Sequence, residues 1–184
     1  MHNELFSIGP FTVYGYGLMI AIGIFAAYCL AEYRARRLGL DDERVFGLTI
    51  CAVIGGIIGG KVLYYLTVLP QIAADPSLLY RDLMEGFVIY GALIGGFAGI
   101  VLYCRRWKMN VPSYLDLALP SVALAQGFGR IGCLLAGCCY GRETDCAFSI
   151  VFQNSAYAPN GVPLIPTQII SSVLDFLHFG FLIL

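Results

Sequence analysis

The sequence predicts an all-α fold, a polytopic helical bundle embedded in a membrane. Of its 184 residues, 59% are hydrophobic and only 12% are charged, about half the charged fraction of a soluble globular domain. Several apolar runs reach the roughly 20 residues that a helix needs to cross about 30 Å of hydrocarbon. We therefore expect about five transmembrane helices, forming a single membrane-embedded domain over residues 1–184. The sequence has no basic patch large enough to predict nucleic-acid binding.

Five apolar runs define the predicted spans. They cover residues 11–31, 45–69, 86–104, 114 to about 135, and 165–184. The fourth run is interrupted by Pro120 and Arg130, and its end, residues 127–141, is left open between a helix and a re-entrant loop. The fifth run reaches the last residue without a charged stop, so we expect it to be cut short there.

The basic residues between the spans predict the orientation. Segments 32–44 and 105–111 carry four and three basic residues, whereas segments 70–85 and 140–164 carry one each. Because Lys and Arg are concentrated in cytoplasmic loops, the N-terminus and the two poorly charged loops are predicted to lie outside. The first residues lack a basic n-region, so no cleavable signal peptide is expected.

Glycine is abundant inside the predicted spans. The chain has 22 glycines, many of them in "AVIGGIIGGK" (52–61) and "YGALIGGFAG" (90–99). Small residues three or four positions apart let membrane helices approach closely. We interpret these glycines as packing residues.

Two basic residues, Lys61 and Arg130, lie inside predicted spans, in their outer halves. A charge near the bilayer centre costs about 2.5–3.5 kcal/mol on insertion scales, so such residues usually face a cavity and mark a site. For Lys61 the sequence leaves functional use and snorkelling to the interface open, whereas the glycines around Arg130 favour function. Because a guanidinium grips phosphate with two parallel hydrogen bonds, the predicted ligand is an outer-leaflet phospholipid.

Two tyrosines, Tyr16 and Tyr90, are also predicted in the outer half. An aromatic belt at the interface explains them. Acid or base catalysis is the alternative, and the sequence alone leaves the two interpretations open.

Four cysteines, Cys133, Cys138, Cys139 and Cys146, follow the intramembrane arginine. Their C-x4-C-C-x6-C spacing lacks the paired C-x2-C arms of common zinc sites, so we expect no metal. A disulfide or simple packing is the favoured interpretation, because the outer face permits oxidation. A bond from Cys139 to Cys146 would close a short loop, but the sequence leaves the pairing open. A reactive thiol, made acidic by Arg130 and exposed backbone amides, is the remaining alternative.

Several motifs resemble one known family. They are "FSIGPFTVYGYGLM" (6–19), "GGKVLYYL" (59–66), the stretch 69–96, "GFGRIGCLLAGCCYG" (127–141) and "PTQ" (166–168). In this order they resemble prolipoprotein diacylglyceryl transferases, bacterial membrane enzymes that move a diacylglyceryl group from phosphatidylglycerol to a lipoprotein cysteine. The resemblance implies a location in the bacterial inner (plasma) membrane. It also implies phosphatidylglycerol or a similar phospholipid and a lipoprotein precursor with a lipobox cysteine as partners, and no cofactor.

The resemblance also implies roles for individual residues. Arg130 matches the arginine that the family uses on the lipid phosphate, and Tyr16 matches the tyrosine of its first helix. The expected catalytic residues are Arg130, Tyr90 and Tyr16. The expected lipid-phosphate-binding residues are Arg130, Lys61, Gly132, Gly137, Gly141 and Gln168.

The chain departs from the family pattern at several positions. The usual His-Gly-Gly reads Tyr90-Gly91-Ala92, and Cys133, Ala136 and Cys138 replace two asparagines and a glutamate. The family continues into further helices with another functional arginine, beyond the last residue of this sequence. The sequence therefore predicts a divergent transferase. The alternative is a non-catalytic lipid-binding or thiol-redox membrane protein on the same scaffold.

Overall fold

The computed structural model describes residues 4–8, 11–75, 77–81 and 86–184. Helices dominate these residues, which confirms the predicted all-α class. In chain order the elements are β1 (Glu4–Ile8), β2 (Phe11–Tyr14), α1 (Gly15–Arg37), α2 (Glu43–Thr67), α3 (Leu69–Ala74), α4 (Leu78–Arg81), α5 (Ile89–Arg106), α6 (Val111–Ala136), β3 (Ile150–Val151), β4 (Pro163–Leu164) and α7 (Thr167–Ile183).

The five long helices occupy the five predicted apolar runs. Three of them, α1, α2 and α6, are long and apolar enough to cross a membrane, and α7 is a shorter apolar helix. The chain is therefore a helical membrane protein with several candidate spans. The count of five spans and the outward N-terminus stay predictions.

The predicted start of the first span is wrong. Residues Phe11–Tyr14 form strand β2, which pairs antiparallel with β1 in the register Ser7↔Thr12 and Ile8↔Phe11. The sequence "FTVY" consists of aromatic and β-branched residues that favour strands. Helix α1 begins only at Gly15 and continues to Arg37. Its last turn carries three arginines, and positive charge there is favourable for the helix dipole.

The segments between the spans are also more structured than predicted. Short helices α3 and α4 lie in the 70–85 region, and β3 pairs antiparallel with β4 in the 140–164 region. Helix α6 runs through both Pro120 and Arg130 without a break and ends at Ala136. The re-entrant loop considered for 127–141 is thus reduced to the five residues that follow the helix.

The described residues form two compact units, one of Met1–Tyr33 with Leu117–Leu184 and one of Arg34–Asp116. In the second unit, α2 and α5 meet along their glycines. A Cβ on Gly95 would overlap the backbone of Gly55, and a Cβ on Gly59 would overlap the carbonyl oxygen of Gly91. These contacts confirm the predicted packing role. The single domain predicted over 1–184 stays a prediction.

In the first unit, α6 is the central helix. Gly23 of α1 faces it so closely that a Cβ there would lie 3.0 Å from the Ala125 carbonyl oxygen. From α7, the buried Ser172 hydroxyl donates to the Gly127 carbonyl at 3.0 Å. The first turn of α1 and the start of α7 are thereby brought to the C-terminal end of α6.

A small apolar core supports the segment after α6. It contains Phe152, Ala158 and Leu164, and Leu134 of α6 packs against it. Since Phe152 and Leu164 are almost completely buried, this core ties the β3–β4 segment to the last turn of α6, which is where the predicted site residues are concentrated.

Candidate functional site

Helix α6 ends in a Schellman turn. Gly137 has a φ of 74°. Its N–H donates to the Leu134 carbonyl at 3.2 Å, and the Cys138 N–H donates to the Cys133 carbonyl at 3.1 Å. This is the hydrogen-bond pair that defines the motif, with glycine in the left-handed position. A Cβ at Gly137 would also overlap the Ser155 hydroxyl, so backbone conformation and space both require glycine here.

The turn brings three of the four predicted cysteines together. The Sγ atoms of Cys133, Cys138 and Cys139 lie within 4.8 Å of one another. A Schellman turn places the side chains at the positions of Cys133 and Cys138 side by side. Cys139 follows with a φ of 56°, a left-handed conformation that costs a non-glycine residue about 1–3 kcal/mol. Cys146 lies outside this group.

All of these cysteines are free thiols in the structure, so a disulfide among Cys133, Cys138, Cys139 and Cys146 stays a prediction. Cys133 and Cys138 are half-buried, and Cys139 is exposed. Burial raises the pKa of the Cys138 thiol, which follows the end of α6, above its ordinary value. The reactive thiol considered for these cysteines stays a prediction as well.

The start of α7 holds the backbone of this turn. The Gln168 side-chain nitrogen donates to the Cys138 carbonyl, and the Thr167 hydroxyl donates to the Cys139 carbonyl, both at 2.7 Å. The Gly141 N–H donates to the Ile165 carbonyl at 3.2 Å. A Cβ on Gly141 would lie only 2.7 Å from that same oxygen. The residues predicted as phosphate ligands in this region thus also fix the geometry of the cysteine turn.

Gln168 is 1% exposed. Its Oε1 is buried and has no hydrogen-bond partner among the described residues. A buried acceptor without a partner costs about 1–3 kcal/mol. The carboxamide therefore uses its donor to hold the turn, while its acceptor is not satisfied by any described residue. Its role on a lipid phosphate stays a prediction.

Arg130 and Tyr16 lie beside the cysteine turn. A Cβ on Gly132 would be 3.2 Å from both the Tyr16 ring and the Met19 Cβ, so this glycine lets the first turn of α1 approach α6. Tyr16 is within electrostatic range of Arg130 and of all three clustered cysteines. Arg130 is half-buried, and within the described ranges its guanidinium has no hydrogen bond or ion pair.

The two other predicted site residues belong to the second unit. The Lys61 ammonium donates to the Gly86 carbonyl at 3.0 Å and lies 5.4 Å and 5.5 Å from the ring centroids of Tyr64 and Tyr65. Tyr90 is in the first turn of α5 and is 71% exposed. Their catalytic and phosphate-binding roles stay predictions.

Comparison with known proteins assigns the chain to a family. Residues 3–184 match the family model described as prolipoprotein diacylglyceryl transferase. The chain belongs to the prolipoprotein diacylglyceryl transferase family.

Three relatives carry the name phosphatidylglycerol–prolipoprotein diacylglyceryl transferase. The protein of Clostridium tetani is 49% identical over 100% of this chain and 73% of its own length. The second relative, from Clostridium perfringens, has the same name followed by the number 2. It is 52% identical over 95% of this chain and 67% of its own length. The third, from Dehalococcoides mccartyi, is 35% identical over 96% of this chain and 68% of its own length. The predicted resemblance is confirmed along nearly the whole sequence.

One residue beside the candidate site, Asp175, was not predicted from the sequence. It lies in the apolar helix α7 and is an electrostatic neighbour of Arg130. Its Oδ1 accepts a hydrogen bond from Gln126 at 3.3 Å, while its Oδ2 is buried without a partner in the described part of the chain. A lone acidic residue inside an apolar run was the available signal.

Proposed function

We propose that this chain is an enzyme that transfers the diacylglyceryl group of phosphatidylglycerol, or of a similar outer-leaflet phospholipid, to the lipobox cysteine of a lipoprotein precursor. The names of its relatives support this assignment. The observation that carries it is the state of Arg130, a guanidinium inside an apolar helix whose donors are not used by any described residue. Asp175 is an electrostatic neighbour of Arg130 but forms no hydrogen bond or ion pair with it among the described contacts, so the guanidinium donors are available to an anionic ligand.

A phospholipid phosphate fits the surroundings of Arg130. Bidentate hydrogen bonds from a guanidinium match the geometry of a phosphate. The position next to it on the helix is open, since a Cβ at Gly129 would meet nothing within 4 Å. Tyr16, packed on Gly132, adds a phenol group in the same region. We assign Arg130 to phosphate binding and Tyr16 to orientation of the lipid.

The reaction is a substitution at carbon. The sulfur of the acceptor cysteine, after loss of its proton, attacks the glycerol carbon that bears the phosphate. A C–S bond forms and the C–O bond breaks, with the electron pair leaving on glycerol phosphate. Charge therefore develops on the phosphate oxygens, and Arg130 stabilises it as a preorganised electrostatic group.

The location follows from the fold and the proposed substrates. Three helices of spanning length support a multi-pass protein of the bacterial plasma membrane. With the predicted outward N-terminus, the proposed phosphate binding near the C-terminal end of α6 would occur at the outer leaflet.

A transfer assay tests the proposal. The purified chain in vesicles of labelled phosphatidylglycerol is given a peptide with a lipobox cysteine, and labelled thioether product is measured. Arg130→Ala should lower the transfer rate about 10²–10³-fold, as removal of one oxyanion donor does, and Arg130→Lys should recover part of it. Arg142→Ala, an exposed arginine on the next loop, is the matched control and should retain the rate. Undiminished transfer by folded Arg130→Ala protein would overturn the assignment.

A further inference from the structure

We propose that Cys133, Cys138 and Cys139 bind one thiophilic divalent cation such as Zn²⁺ and leave one coordination position open for the acceptor thiol. The open position rests on the proposed function, whereas the cation site stands on the cysteine geometry alone. Three thiol sulfurs within 4.8 Å of one another can each donate one ligand atom to the same ion. This inference departs from the expectation, drawn from spacing, that the chain has no metal.

The sulfur separations are close to what a cation requires. A Zn–S bond is about 2.3 Å long, and two thiolates on one tetrahedral ion therefore lie about 3.8 Å apart. The three sulfurs need to close by no more than about 1 Å, which side-chain rotation supplies. Soft thiolate ligands select cations of this class over Mg²⁺ or Ca²⁺.

The backbone already holds the three ligands in place. Cys133 is in the last turn of α6, and the Schellman turn fixes Cys138 beside it. The Thr167 and Gln168 side chains bind the carbonyls of Cys139 and Cys138. The left-handed φ of Cys139 is a strained conformation of the kind found at functional sites. A C-x4-C-C sequence thus forms a ligand set without the usual paired C-x2-C arms.

Three protein ligands are the arrangement of catalytic zinc sites, in which the fourth position takes water or substrate. Cys146 is outside the group, so no cysteine of the described residues fills that position. Cys139 is exposed, which leaves the cluster accessible to an incoming peptide.

A thiol is the acceptor in the proposed reaction, and a thiol that coordinates such a cation loses its proton to solvent. The bound sulfur then attacks the lipid carbon, and the cation keeps its oxidation state throughout. Arg130 and the cysteine cluster both lie within electrostatic range of Tyr16. The cluster is therefore placed to deliver a thiolate next to the residue that we assign to the phosphate.

Metal binding is tested first, without any assay of transfer. The detergent-solubilised chain is reduced, stripped with a chelator and titrated with Zn²⁺ or Cd²⁺, and cadmium–thiolate absorption and metal content are measured. We expect one ion per chain, with affinity at least tenfold lower in Cys133→Ser, Cys138→Ser and Cys139→Ser. Cys29→Ser, a free cysteine in α1, is the control and should bind normally. Absence of binding, or equal binding by the three variants, overturns the site.

The open position is tested on the zinc-loaded protein. X-ray absorption should count three sulfur ligands alone, four with a lipobox peptide, and three with the same peptide carrying Ser for Cys. Loss of binding in Cys146→Ser, or four sulfurs before peptide is added, overturns the open position. A metal-free chain that transfers at the full rate also overturns it. A fourth sulfur with no thioether product would instead overturn the proposed function and leave the cation site standing.

Discussion

Two glycine-rich regions of this molecule use glycine for different purposes. Along the contact of α2 with α5, glycines are helical and only remove bulk, so that Gly55 and Gly95 bring two backbones together. At the end of α6, Gly137 adopts a left-handed φ that reverses the chain and gathers three cysteines. The neighbouring side chains distinguish the two cases. Glycine beside apolar residues indicates packing, and glycine beside arginine and thiols indicates a site.

The largest effect on stability is expected along the α2–α5 contact. Gly95→Ala places a methyl group on the Gly55 carbonyl, which is backbone and has little freedom to move. Overpacking of this kind costs about 1–3 kcal/mol or more. Gly96→Ala is the matched control, since its Cβ would lie 3.4 Å from the Ala52 carbonyl, an ordinary contact, and alanine gains about 1 kcal/mol of helix propensity.

Thermal unfolding in detergent compares the two variants. We expect a clearly lower Tm for Gly95→Ala and an unchanged or higher Tm for Gly96→Ala. Equal Tm values would show that the glycines do not set the distance between these helices.

The sequence predicted the long helices well, because an apolar run of spanning length indicates a membrane helix regardless of which other helices it packs against. It failed at Phe11–Tyr14, because a short apolar run is compatible with a strand or with the start of a helix. The site was predicted in part. Arg130 was identified by its cost in a membrane, but the cysteine cluster depends on which two positions a Schellman turn brings together. Asp175 was not predicted, because its position in the fifth apolar run does not reveal that the fold brings it close to Arg130.

A smaller effect is expected from Gly137→Ala at the end of α6. The variant suffers left-handed strain of roughly 1–2 kcal/mol and a clash with the Ser155 hydroxyl, which can rotate away. Gly161→Ala measures the backbone strain without the clash, because Gly161 has a φ of 77° and an added Cβ would meet nothing within 4 Å. Unfolding free energies should fall for both variants, and further for Gly137→Ala. A change in cysteine alkylation rates should occur only in Gly137→Ala, and identical rates would argue against the role of the turn in gathering the thiols.

Gln168→Leu tests whether this residue positions the turn. The substitution leaves the Cys138 carbonyl unsatisfied, at a cost of about 1–3 kcal/mol, and removes the unpaired Oε1, which offsets a similar amount. The unfolding free energy should therefore change little. Thr167→Val, which removes the exposed bond to the Cys139 carbonyl, should cost about 1 kcal/mol. If Gln168 positions the turn, kcat falls and cysteine alkylation accelerates. A rise in KM for phosphatidylglycerol with unchanged alkylation would identify it as a lipid ligand instead.

The smallest effect is expected at Lys61, which lies in the glycine-rich helix α2. Its ammonium binds the Gly86 carbonyl and lies over two tyrosine rings, contacts worth about 1 kcal/mol together. Lys61→Met should therefore lower the unfolding free energy by about that amount, and Lys61→Arg should restore it. If Lys61 is structural, the transfer rate per folded molecule stays constant in Lys61→Met. If it binds the lipid phosphate, KM for phosphatidylglycerol rises at equal folded fraction, and the glycine-rich helix α2 then carries a functional residue, as we propose for the end of α6.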